Sequence, residues 1–257
     1  VEGFVRGADI VSVALKDDLG GNAEEAINKL GKLISIFKLR EKYGIEESFI
    51  KVGSVINELG GNSAASEEYI VEFTQRLAGI APAAKISVAE VMGLAAVMDE
   101  QGQSTELAAT NIGKMLISLG KDVPSFAKVA GMSVKDFTTL LNTNANEALL
   151  KVVERAKQSE GGLANLAKTF KTLGIDGSEG AAVIGALANN IDRVRQQQAI
   201  ANTEFASGSS ILNEYTEKNN NAAAVLDKIE KKIASVWDII ANGMEPVIFA
   251  FGKFLGL

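Results

Sequence analysis

Along most of the chain, apolar residues return every three or four positions, the period of one helix face, and polar turn residues separate the stretches. In SVAEVMGLAAVMDEQGQS (87–104), Val88, Val91, Met92 and Ala95 form such a stripe. Ser87 is placed to cap exposed amides, Glu90 three residues later to complete a capping box, and Ile86 to act as a hydrophobic staple. The helix is expected to end near Asp99–Gln101, because Gly102 readily takes the left-handed conformation of a helix terminus. Gly93, Ala95 and Ala96 are small enough to let a neighbouring helix approach closely.

Variants of this layout recur. YGIEESFIKVGSVINELGG (43–61) has Gly-Ile, acids, an apolar stripe and a closing Gly-Gly. GMSVKDFTTLLNTN (131–144) has Ser133 as cap with Asp136 three later, and LGIDGSEGAAVIGALANN (173–190) has Asp176 with Glu179. The apolar residues ahead of the caps, Ile45, Ile86, Met132 and Ile175, are 41, 46 and 43 apart. That drift is too loose for a consensus solenoid and regular enough for related helical hairpins.

A further helix is predicted in each unit: AEEAINKLGKLISIFKLR (23–40), SEEYIVEFTQRLAGI (66–80), STELAATNIGKMLISLG (104–120) and NEALLKVVERAK (146–157). Ile70, Phe73 and Leu77 share one face of the second, and Leu149, Leu150 and Val153 one face of the last. The fold class expected is all-α, an irregular array of antiparallel helical hairpins in about four related units, followed by a C-terminal amphipathic helix. Residues 1–204 form the hairpin core, 205–221 a polar hinge, and 222–257 an amphipathic helix with an apolar end. In that last segment Val225, Leu226, Ile229, Ile233, Val236 and Ile240 fall on one side. The start at Val1 and the apolar end are as expected of one piece of a longer chain.

Composition narrows the function. The 257 residues are 47% apolar, enough for a substantial core, and three prolines with 6% aromatics favour helix. A net charge of −6 without a basic block argues against sequence-specific nucleic-acid binding. Cysteine and histidine are absent, which removes disulfides, thiol nucleophiles, Cys- or His-ligated zinc and histidine triads. Residues 1–15 lack the basic start and apolar run of a secretory signal, and no apolar run approaches the roughly twenty residues of a membrane span.

The remaining candidates for chemistry reduce to construction. Gly174 to Gly180 lacks phosphate-loop spacing, follows a helix, and puts Asp176 and Glu179 where an anion would sit. The acid pairs Glu46/Glu47, Glu67/Glu68 and Asp99/Glu100 diverge around a helix and read as capping or solvated groups. No catalytic residue, cofactor or metal site is assigned. The candidate partner or oligomer contacts are Trp237, Ile240, Phe249, Phe251 and Phe254, for which core packing, an oligomer contact and a membrane-surface segment all remain open.

In GSVINELGGNSAASEEYIVEFTQRLAGIAPAAKISVAEVMGLAAVMDEQGQSTELAATNIGKML (53–116) the chain resembles the conserved helical core region of phage tail tape-measure proteins of bacterial phages and prophages. FAKVAGMSVKDFTTLLNTNANEALLKVVE (126–154), GGLANLAKTFKTLGIDGSEGAAVIGALANNID (161–192) and QQQAIAN (196–202) continue the resemblance in order. It implies a virion structural protein that runs in the tail lumen, is made in the host cytoplasm, helps set tail length and assists DNA delivery. The implied partners are tail-tube, distal-tip and tail-assembly proteins, with self-association and transient membrane contact through the C-terminal segment. The family motif carries no catalytic residue, and the long helical ruler and wall-degrading domain of some members are missing here. A helical-repeat interaction scaffold and a membrane-active helical module are the alternatives.

Overall fold

The computed structural model describes residues 2–158 and 177–223, with single positions 161, 164, 165, 167, 168, 171, 225, 226 and 229. Among the described residues the secondary structure is all α-helical, with no strand. In chain order the helices are α1 (Glu2–Leu15), α2 (Ala23–Ile36), α3 (Leu39–Tyr43), α4 (Ile45–Gly61), α5 (Glu67–Leu77) and α6 (Val88–Glu100). They continue as α7 (Thr105–Lys121), α8 (Val123–Val129), α9 (Val134–Thr143), α10 (Ala145–Gln158), α11 (Gly177–Asn189) and α12 (Ile191–Ser207), and residues 210–223 are again helical.

Local chemistry explains most boundaries. Ser66, Ser87, Ser104 and Ser133 all accept a first-turn amide through the side chain, and at Ser87 both halves of the capping box form. α6 ends at Glu100, where Gly102 (φ 67°) lets its own N–H reach Asp99 O at 2.7 Å and the Gln103 N–H reach Met98 O at 3.0 Å. Those two bonds close the orphan carbonyls of the last turn, as a left-handed residue after a helix allows. Gly131 ends α8 in the same way.

One expected helix is broken. The stretch 23–40 stops at Ile36, and α3 starts after Lys38, which takes φ 54° and ψ 31°. The Lys38 N–H there turns back to Ser35 O. With neither glycine nor proline at the break, no local signal marks it. Asp176 and Glu179, the expected cap pair of the fourth unit, lie outside the described residues or have side chains that do.

The chain divides into two compact units, Val1–Asn213 and Glu214–Leu257. In the first, the core is built on four wholly buried phenylalanines, Phe49, Phe73, Phe126 and Phe137, surrounded by Leu, Ile, Val and Ala. Ile70, Phe73 and Leu77 do line one buried face of α5, and Leu149, Leu150 and Val153 one of α10. Consecutive helices pack, as α5 does on α6, but the most extensive packing joins α12 to α6, about a hundred residues away, and α12 also packs on α4, farther still in sequence. The spacing of the caps therefore marks the helix starts without setting which helices meet. In the second unit the described residues are helical, Lys218 pairs with Glu214 at 3.2 Å, and Val225, Leu226 and Ile229 are exposed.

Candidate functional site: polar helix joints and an open groove

Several polar side chains of the first unit meet where helices join. Glu90 accepts from the Ser87 N–H at 2.8 Å through one carboxylate oxygen, which closes the first turn of α6. Its other oxygen accepts from Asn144 Nδ2 at 2.6 Å. Asn144 is the residue ahead of α10, and its own Oδ1 accepts the Glu147 N–H at 2.9 Å. One carboxylate thus ties together the starts of two helices far apart in sequence.

α12 enters beside this junction. Gln198 is buried; its Nε2 donates to Glu90 O at 3.0 Å and to Asn146 Oδ1 at 3.2 Å, while its Oε1 accepts from Asn146 Nδ2. Two amides exchanging both bonds leave no polar atom unpaired in that interior. The approach is close because residue 93 is glycine: a Cβ there would stand 2.7 Å from Gln198 Cα and N, which are backbone and cannot yield. At the end of α6, Arg193 grips Glu100 with two bonds, Nη2 to Oε1 at 2.6 Å and Nε to Oε2 at 3.1 Å. Arg195 reaches Glu147 and Glu154 of α10.

The far end of α12 is held by α4. Lys51, nearly buried, donates to Phe205 O and Ala206 O at 3.1 and 3.2 Å, so a cation meets the negative end of the helix. Gly208 (φ 67°) turns the chain, and Glu204 accepts the N–H groups of Ser209 and Ser210 at 2.7 and 2.6 Å. Burial opposes ionisation of the Glu204 carboxyl, but the bonds from Ser210 and Ser209 outweigh it and hold its pKa below the ordinary value. Ser54 Oγ then accepts the Ile211 N–H, and Asn57 Nδ2 donates to Ser210 Oγ.

The acid pairs of the sequence take different parts. Glu46 and Glu47 stand in the first turn of α4, Glu67 and Glu68 in that of α5, where acids favour the helix dipole. Asp99 and Glu100 lie at the wrong end of α6 for that purpose. Asp99 accepts from the Ser66 N–H at 2.8 Å and Glu100 pairs with Arg193, so both join elements. Among the described residues no three metal-ligating side chains converge. Trp237, Ile240, Phe249, Phe251 and Phe254 lie outside the described residues.

A second feature is an apolar groove of about 530 Å³ bordered by α1, α2, α3 and α4, with Phe4, Ile34, Ile45 and Phe49 on its walls. Sequence reasoning missed it, since its residues come from four separate segments and none forms a motif.

Joints of this kind and an open apolar groove stand on a body that is all-helical among the described residues. The chain belongs to the family described as phage-related minor tail protein, whose profile matches residues 1–162. Its role is that of a structural protein of the phage tail. No curated protein and no solved structure gives a significant match.

Proposed function

We propose that the chain is the core module of a tape-measure protein, which helps set tail length, organises tail-tube assembly and assists DNA delivery across the host envelope. In this reading it is non-catalytic and works through tail-tube, distal-tip and assembly proteins. One observation carries it. QQQAIAN (196–202), far along the chain and beyond the family match, supplies Gln197, Gln198 and Ala201 to the buried face of α12. That face lies on α6, whose sequence is the centre of the first tape-measure-like stretch. Pieces that resemble the family in succession are therefore the pieces that pack together, which supports reading them as one module.

The test is genetic. In-frame deletion of the codons for this module from the phage that encodes it is expected to abolish tails or leave them at uncontrolled length in electron micrographs. Virions with tails of normal, uniform length would overturn the reading.

A further inference from the structure

The groove between α1, α2, α3 and α4 is apolar inside and basic at its rim. Phe49 and Ile34 are fully buried at its base, while Phe4 stands 47% exposed at its mouth, edge-on to the Phe49 ring at 5.8 Å. An aromatic left half in water beside a groove is what a docking surface presents. Gly31 keeps the groove open. A mid-helix glycine weakens a helix relative to alanine, and a Cβ at residue 31 would meet nothing within 4 Å, so packing inside the chain gives no reason for it.

The rim supplies the charge. Lys38 and Arg40 line the groove, both exposed, and among the described residues neither is in an ion pair. Glu41 is the one acid on the lining. In a chain of net charge −6, two cations against one acid leave the rim of this apolar slot net positive. Lys38 is moreover held in the left-handed region at φ 54°, a conformation that disfavours residues with a side chain.

We propose that this groove docks an acidic amphipathic helix of another tail protein, with the helix's apolar residues against Phe4 and Ile45 and its acids against Lys38 and Arg40. Apolar anchors spaced three and four apart with acids on the flanks match a slot of this chemistry. The proposal rests on the tail role and names the chemistry of one partner. It does not depend on control of tail length, so either can fail alone.

The test uses the whole chain and a fluorescein-labelled 18-residue helical peptide with leucine on one face and glutamate elsewhere. A second peptide carries lysine in place of glutamate. The glutamate peptide is expected to raise fluorescence anisotropy on binding and the lysine peptide to leave it unchanged. Two independent variants should each weaken binding at least tenfold: Lys38→Glu with Arg40→Glu, and Gly31→Leu. The latter fills the groove while leaving circular dichroism intact and raising Tm. Absent binding, equal binding of both peptides, or indifference to Gly31→Leu would overturn the proposal. So would variant-sensitive binding to phosphatidylglycerol vesicles without peptide binding, which would assign the groove to lipid headgroups.

Discussion

α6 and α12 lie against each other yet bury different kinds of surface. α6 buries ten of its 13 residues, including every one from Val91 to Met98, and all of them are apolar or glycine. α12 buries six, of which Gln197, Gln198 and Glu204 are polar. The first helix is surrounded, so nothing about it has to be amphipathic. The second closes over it from one side and carries its own hydrogen-bonding groups inward. Apolar burial supplies most of the driving force, but it is non-directional. The Gln198 amide and the Arg193–Glu100 pair specify where along α6 it sits, because any other register would leave the buried amide unsatisfied.

This contrast can be broken most severely at the glycine where the two backbones nearly touch. Gly93→Leu places a side chain against the Gln198 backbone and is expected to cost about 3 kcal/mol or more, above the usual overpacking range because backbone must move. Urea denaturation would show it; an unchanged midpoint would mean that α12 is not held there. Next comes the amide pair. Gln198→Leu strands the Asn146 amide and should lose about 2 kcal/mol, whereas Gln198→Leu combined with Asn146→Leu should recover part of that. A double variant as unstable as the sum of the singles would deny the coupling.

Smaller effects separate the joints from each other. Ser87→Ala should lower stability by about 1 kcal/mol by opening the first turn of α6. At the other end of α12, Glu204 contributes through its ionised form. Its folded pKa lies below the unfolded carboxylate value of about 4.3, so its contribution is complete above that pH and lost as the pH falls through the lower folded value. Glu204→Gln should therefore flatten the acid limb of a stability–pH profile. An unaltered acid limb would remove Glu204 from the joint.

How much of this could be read from the chain follows the same division. The ends of α6 were legible because capping boxes and left-handed glycines are local devices, each complete within a few residues. The apolar faces of α5 and α10 were legible because their period is. The place of α12 was not, since three successive glutamines read as surface until a partner amide from α10 is known to meet one of them. The break after Ile36 was equally hidden, because Lys38 adopts a conformation that its residue type does not advertise. The groove needed four helices in place before its lining existed, and Asp99 and Glu100 became joining residues only once Ser66 and Arg193 stood opposite them.

The double engagement of Glu90 has a consequence for motion. A helix start ordinarily frays on its own account, opening and closing its first turn independently of the rest. Here the group that closes the first turn of α6 also holds the side chain that caps α10. When one start opens, the other loses its support, so amides at 88–90 and at 146–148 should exchange with solvent as a single unit. The two helices, 54 residues apart at Glu90 and Asn144, thereby share one hinge of disorder rather than having two.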